Sequence, residues 1–511
     1  MYAPKSNRNA PTFISQNKTG KGLSEKVVKG SFWVFLSRII SQVFTIARLI
    51  ILARILAPPD FGLMGIALLV MLTLETFFQT GFQQALVQKE KNVEKYLNTV
   101  WTVLILRGLI LFVILYFIAP YAAIFFAQPT AKTIVQVIGL SILLKAFTNI
   151  GTVFFQKELE FKKQFIYEVS GTLTDFLVAI SSVLILKNVW ALAFGFLAGN
   201  LVTCIVSYII HPYRPVPDLD LKKIAELFSY GRWILGSSVL IFVGAYIDDI
   251  FVGKLLGATA LGFYQMAYRI SNIPASEITY VTGKVAFPAY SKIQCEQSRL
   301  QQGYFQIMRL TAALSIPIAA ATVLLAEDFT IIFLGEKWLP MVPAMQLLAI
   351  AGLIKSIIST GSPLFAGSGH PNFEFYTQLT RAFVMMISIY PITVNVGISG
   401  AAVCVILSMA GMLLVWYRFS RNITEASRQK YTDAIWPPLF SSLVMAGSIC
   451  LFSWYFNSGR EPVAIGISVF LAVTIIGFFT YLAVLYSVQK FYPKFGLVDD
   501  ARVVYHSIVG R

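Results

Sequence analysis

ILARILAPPDFGLMGIA, residues Ile51 to Ala67, returns two hundred positions later as FVGKLLGATALGFYQMA, residues Phe251 to Ala267. Leu56/Leu256, Gly62/Gly262 and Ala67/Ala267 are identical, Arg54/Lys254 keeps its charge, and upstream Trp33 meets Trp233. Apolar composition alone would not align a cation, a turn and a tryptophan, so the two stretches read as copies of one unit. In each copy a short break joins two apolar runs long enough to cross a bilayer as helices.

The composition around the repeat agrees. Of 511 residues, 57% are hydrophobic and 13% are Asp, Glu, Lys or Arg, against roughly 45–50% and about 25% in soluble domains. So little charge cannot cover a soluble protein of this size, and so much apolar content excludes intrinsic disorder. A polytopic membrane protein remains. Its net charge of +16 would suggest nucleic acid in a soluble chain, but in a membrane protein the placement of the charge decides. Cys204, Cys404 and Cys450 lie in apolar runs and Cys295 in a polar one, without disulfide or metal-ligand spacing. The first apolar run, Ser31 to Ala53, exceeds a signal-peptide core and carries Arg38 and Arg48, so it is expected to stay in the mature protein.

Fourteen apolar runs of helical length follow one another: 31–53, 61–87, 97–119, 133–155, 165–187, 189–210, 231–253, 261–287, 304–326, 341–365, 375–395, 399–417, 433–455 and 463–487. They lack the period-2 alternation of barrel strands, which predicts an all-α fold. The connections on the side of the N-terminus hold 28 Lys and Arg, whereas the opposite side holds six, namely Arg54, Lys132, Lys187, Lys254, Lys337 and Arg460. A missed helix would scramble this alternation, so an even count with both termini cytoplasmic is expected. Six helices separate the repeat copies, which therefore enter the membrane in the same direction, as in parallel-repeat transporters. The predicted organisation is a disordered tail at 1–22, a six-helix lobe at 23–210, a linker with an interfacial helix at 211–230, a second six-helix lobe at 231–420, an appended helix pair at 421–487 and a tail at 488–511.

Seven cations lie within the spans (Arg38, Arg48, Arg107, Lys145, Arg269, Lys355 and Arg381) with five acids (Glu75, Asp175, Asp248, Asp249 and Glu277). Each costs a few kcal/mol at mid-bilayer and such residues face a bundle interior or a wet cavity. In the first span Arg38, Gln42, Thr45 and Arg48 share a face, and in the second Glu75, Gln79 and Gln83 do, as walls of a polar cavity would. The surplus of cations suits an anion such as a phosphate, with arginine favoured for bidentate contact. Arg38, Arg48 and Arg269 lead as substrate-binding candidates, followed by Lys145, Lys355 and Arg381; Asp248, Asp249 and Asp175 are candidates for a coupling cation. The competing reading makes Arg48 a structural partner of Glu75 or Asp248. Gly367-Ser-Gly-His370-Pro reads as a tight turn before it reads as a phosphate nest. His211, His370 and His506 are too scattered for a metal site, and no Walker A, GxSxG or HExxH motif occurs, so neither a cofactor nor a catalytic residue is expected.

The run Ile247 to Arg269, followed by Phe287-Pro-Ala-Tyr-Ser-Lys292, resembles the central signature of bacterial polysaccharide exporters of the Wzx type. Gly81-Phe-Gln-Gln-Ala-Leu-Val-Gln88 and Lys337-Trp-Leu-Pro340 carry the same resemblance, which covers nearly the whole chain. It implies membership of the multidrug/oligosaccharidyl-lipid/polysaccharide exporter superfamily, with a V of two six-helix lobes whose helices 1, 2, 7 and 8 line a central cavity. It further implies flipping of an undecaprenyl-pyrophosphate-linked oligosaccharide across the inner membrane by a monomer, for a polysaccharide polymerase or chain-length regulator to use. Arginines of the first and eighth helices, here Arg38, Arg48 and Arg269, would face the pyrophosphate. A drug exporter on the same fold would call for an acidic cavity, and a membrane glycosyltransferase or polymerase for catalytic acids and a large outer domain; the sequence offers neither.

Overall fold

A computed structural model describes residues 20–88, 93–294, 296–456 and 463–491. The expected tails, except for residues 20–22 and 488–491, lie outside the described residues. Helices make up the fold, and no strand occurs among the described residues. In chain order they are α1 (Gly20–Ile55), α2 (Pro58–Phe77), α3 (Phe82–Gln88), α4 (Glu94–Phe125), α5 (Ala131–Ala146), α6 (Val153–Lys157), α7 (Phe161–Leu186), α8 (Trp190–Ile210), α9 (Leu221–Ile293), α10 (Gln297–Leu324), α11 (Ala326–Phe329), α12 (Val342–Ile358), α13 (Gly361–Gly367), α14 (Pro371–Val396), α15 (Ile398–Thr424), α16 (Arg428–Phe456) and α17 (Val463–Phe491). Eleven of the described helical segments are long and apolar enough to cross a membrane, and twelve if α5 and the bent segment Ile150–Lys157 form one span. α9 is interrupted at Gly257 (φ 83°, ψ −179°) and supplies two segments where the seventh and eighth spans are expected, an order compatible with fourteen. Large apolar side chains such as Ile185 (80% exposed) and Trp454 (81%) face outward, as lipid-facing helices require.

The breaks in the two repeat copies coincide. Ala57, extended at φ −88° and ψ 157°, separates α1 from α2, and its equivalent Gly257 interrupts α9. Pro58 and Pro59 open α2 where missing amide donors cost nothing, and the Asp60 carboxylate accepts the Ala57 amide at 3.0 Å. The copies pack on each other reciprocally. A Cβ on Gly62 would fall 1.7 Å from the Ala258 carbonyl oxygen, and one on Gly262 would fall 2.1 Å from that of Pro58. The repeat exchanges these two contacts, because Pro58 is equivalent to Ala258. A local two-fold relation therefore runs between α2 and α9, with backbones close enough that only glycine fits.

Departures from the expected spans have local causes. The second run ends at Phe77 rather than continuing to 87: Phe78 leaves the helical region at φ −110° and ψ 18°, Gly81 adopts φ 67°, and α3 starts at Phe82. The fourth run bends by 69° ahead of Ile150, where the Asn149 side chain caps Gly151 N at 2.9 Å and donates to Tyr213 O at 2.7 Å. The extended linker ends at Asp220, whose carboxylate caps the amides of Lys222 and Lys223. From Leu221 onward the chain is already α9, so 221–230 is no separate interfacial helix. α16 and α17 pack beside α10, where the Tyr481 hydroxyl donates to Ala313 O at 2.7 Å.

Candidate functional site

The charged residues expected to share one cavity separate into distinct places. At the centre, α1, α7 and the second segment of α9 bring together Arg48, Asp175 and Arg269. Arg48 Nη2 lies 3.1 Å from Asp175 Oδ1 and 3.5 Å from Leu192 O, while Arg48 Nε has no partner. Asp175 fits there because α7 and α8 touch through small residues: a Cβ on Gly195 would sit 2.7 Å from Asp175 Oδ1, and one on Gly199 would sit 2.9 Å from Asp175 Cβ. Arg269 acts electrostatically on both Arg48 and Asp175, yet it makes no hydrogen bond or ion pair among the described residues. Two guanidiniums thus lie in the field of one carboxylate, with only Arg48 paired to it, leaving a surplus positive charge.

This arrangement corrects the pairing read from the repeat. Arg48 meets neither Glu75 nor Asp248. Glu75 is instead 3.3 Å from Lys145, and its carbonyl accepts Arg107 Nη2 at 3.0 Å. Glu75, Gln79, Gln83 and Lys145 line a pocket of about 360 Å³ between α2, α4 and α5, inside the first lobe, so the second polar stripe does not wall the cavity that the first one faces. Asp175, a candidate for the coupling cation, is engaged by Arg48.

Arg38 is likewise occupied. Its guanidinium is hydrogen-bonded to both carboxylate oxygens of Glu277, with Nη2 to Oε1 at 2.9 Å, and lies 3.7 Å from the Tyr280 ring centroid. It lines a pocket of about 630 Å³ with Gln42, Thr45 and three residues the sequence reading passes over, Gln164, Glu168 and Tyr280. Glu168 accepts Ser37 Oγ at 2.6 Å and Gln164 Nε2 at 2.7 Å. The i, i+4 spacing of Gln164 and Glu168 on α7 was the available signal.

In the second lobe, Lys355 and Arg381 line a pocket of about 440 Å³ with Glu374 and Gln378. Asp248 is only 3% exposed; its Oδ2 accepts the Tyr264 hydroxyl at 2.6 Å, its Oδ1 has no partner, and the Arg381 charge reaches it. Asp249 lies beside Gln265. The Gly367–His370 stretch is a turn: Gly369 takes φ 80°, and the amides of Ser368, Gly369 and His370 all bond to carbonyls at the end of α13, leaving no nest for phosphate. Among the described residues no cluster of three His, Cys, Asp or Glu side chains is placed to hold a metal ion.

At the end of the cavity where α1 finishes, the lobes are closed on each other. Arg54 donates to the carbonyls of Ile331, Ile332 and Phe333, and Trp338 Nε1 donates to Ala53 O at 2.9 Å. Trp338 is fully buried between Phe61 and Phe263.

Residues 51–343 match the family model described as polysaccharide biosynthesis protein. The chain is 22% identical over 428 residues to the lipopolysaccharide biosynthesis protein WzxC of Escherichia coli (strain K12), covering 82% of this chain and 86% of that one. It is 25% identical over 374 residues to the teichuronic acid biosynthesis protein TuaB of Bacillus subtilis (strain 168), covering 69% and 74%. Its fold is similar to that of the lipid II flippase MurJ in an inward closed conformation, with TM-score 0.71 at 16% identity over 91% of this chain and 99% of that one.

Proposed function

The chain belongs to the polysaccharide biosynthesis protein family, and from that premise we propose that it is a flippase for lipid-linked oligosaccharides. Its substrate is an undecaprenyl-pyrophosphate-linked oligosaccharide, moved by alternating access from the cytoplasmic to the outer face of the inner membrane for surface polysaccharide assembly. Both termini are cytoplasmic, and a polymerase or chain-length regulator takes up the product. The chain works as a transporter rather than an enzyme.

The observation that carries this reading is the surplus cation beside Asp175. Arg48 is paired with Asp175, and the exposed Arg269 brings a second guanidinium into the field of the same carboxylate, so a surplus cation inside the spans is placed to receive an anion from a wet cavity. Pyrophosphate matches it, since a planar guanidinium binds two phosphate oxygens at once. Arg38 and Lys145 are paired with Glu277 and Glu75, and Lys355 and Arg381 line the separate pocket of the second lobe, so none of them forms this site. Asp248, one oxygen of which has no partner, remains the candidate for proton or cation coupling.

Depleting the protein is expected to leave lipid-linked repeat units on the cytoplasmic face, which extraction and mass spectrometry detect. Unchanged intermediates with normal delivery to the outer face would refute the reading.

A further inference from the structure

The pocket near the start of α1 differs chemically from the cationic site next to it. Arg38 is taken up by Glu277 and Tyr280, and Glu168 adds a second carboxylate, so the pocket lining carries two negative charges against one positive. An anion is repelled there. Yet the pocket is rich in unused hydrogen-bonding capacity. Ser41, Gln42 and Thr45 make no hydrogen bond among the described residues, and the buried Gln164 Oε1 has no partner. Trp33, Phe161 and Phe165 add an apolar aromatic wall. At about 630 Å³ the pocket falls within the roughly 300–1,000 Å³ of small-molecule sites.

A ligand that satisfies all three features is uncharged, bears several hydroxyl groups and has flat C–H faces, which describes a pyranose. The location fits as well. Thr45 precedes Arg48 by less than one helical turn, roughly 4.5 Å along the axis, so the inner edge of the pocket adjoins the Arg48–Asp175–Arg269 site. A sugar joined directly to a pyrophosphate held at that site reaches the pocket without a spacer.

We propose that this pocket is the subsite for the sugar unit attached to the pyrophosphate, and that it selects an uncharged pyranose over an acidic one. This proposal rests on the flippase reading and refines it. Amide and carboxylate side chains hydrogen-bond the hydroxyls, and the excess of carboxylates excludes a uronate by like-charge repulsion.

The test is equilibrium binding to the full-length protein in lipid nanodiscs, using three probes: undecaprenyl pyrophosphate, its glucosyl derivative and its glucuronosyl derivative. Wild-type protein is expected to bind the glucosyl lipid at least tenfold more tightly than the bare lipid, and the glucuronosyl lipid at least tenfold more weakly than the glucosyl one. Gln42→Ala/Gln164→Ala is expected to bring the glucosyl lipid down to the affinity of the bare lipid while leaving the bare lipid unaffected, which also reports that the variant folds. If the variant binds no lipid, the wild-type comparison decides alone. Equal wild-type affinity for bare and glucosyl lipid, a glucuronosyl lipid bound as tightly as the glucosyl one, or a folded variant that keeps the full preference would overturn the subsite and leave the flippase reading standing. Wild-type protein that binds none of the three probes would overturn the flippase reading and the subsite with it.

Discussion

Arg54 and Lys254 stand at equivalent places in the two repeat copies, and each reaches across to carbonyls at the end of a helical segment in the other half. Arg54 bonds Ile331, Ile332 and Phe333, and Lys254 Nζ bonds Phe125 O, the last carbonyl of α4, at 2.6 Å. Cations at the carbonyl ends of helices are favourably placed, and here they tie the closed end of the cavity from both sides. Lys337 Nζ adds a bond to Arg54 O at 2.9 Å.

In a background with the native cysteines replaced by serine, Arg54→Gln/Lys254→Gln is expected to open this end more often. A cysteine placed at Thr45 then reacts several-fold faster with a membrane-impermeant thiol reagent added from the outer side. An unchanged rate would mean that the two cations do not hold the end closed.

Gly62→Val forces a side chain against the Ala258 carbonyl, where even a Cβ would lie 1.7 Å away. Overpacking of this kind costs about 1–3 kcal/mol, and here backbone must move, so we expect a lower melting temperature in detergent and lost export. Gly262→Val meets Pro58 in the same way and is expected to behave alike. Gly283→Ala, with open space around it, serves as the neutral control.

Asp175→Asn and Arg48→Ala separate stability from transport. Removing the carboxylate leaves two guanidiniums without a counter-ion, whereas removing Arg48 leaves Asp175 with Arg269. Breaking a fully buried ion pair costs about 3–5 kcal/mol and this partly exposed pair costs less, so Asp175→Asn is expected to melt at the lower temperature, while Arg48→Ala stays folded and loses export. The reverse order of melting temperatures would show that Asp175 is not the counter-ion of the pair.

His211 gives a pH signature to the linker. Its Nδ1 accepts the Tyr213 amide at 3.1 Å, and its ring stacks on Phe154. Burial first, and then the charge of Lys163, lower its pKa from the ordinary 6.5, against the opposing pull of Glu160. The folded linker therefore favours neutral histidine. Docking is complete above pH 6.5 and weakens as pH falls from there through the folded-state value, because the unfolded state takes up the proton first. Hydrogen exchange over residues 211–220 is expected to accelerate on acidification in wild type and to lose that pH dependence beyond the intrinsic rate in His211→Phe.

Much of this was legible in the sequence because it is written in periodicity and repetition. The apolar runs, the shared break at 57 and 257 and the Gly62/Gly262 equivalence all follow from reading the chain against itself. The partners of the buried charges were not legible, because sequence spacing does not say which helices touch. Asp175 becomes Arg48's partner through Gly171, Gly195 and Gly199, which let α7 and α8 approach, and no count of charges reveals that. Glu75 shared a face with Gln79 and Gln83 on an uninterrupted helix, but the helix ends at Phe77 and these residues line a pocket with Arg107 and Lys145 within one lobe. Glu168 and Tyr280 gained meaning only from Arg38, which in sequence looked free to bind an anion.

The most direct test of the central claim is transfer in proteoliposomes. Purified protein is reconstituted with an undecaprenyl-pyrophosphate-linked oligosaccharide in both leaflets, and arrival of the glycan at the outer face is followed with a lectin or glycosidase that cannot cross the membrane. Protein-dependent transfer is expected of wild type and of Lys145→Ala, and none of Arg48→Ala/Arg269→Ala inserted at equal amount. Transfer by the double arginine variant at the wild-type rate would contradict the claim.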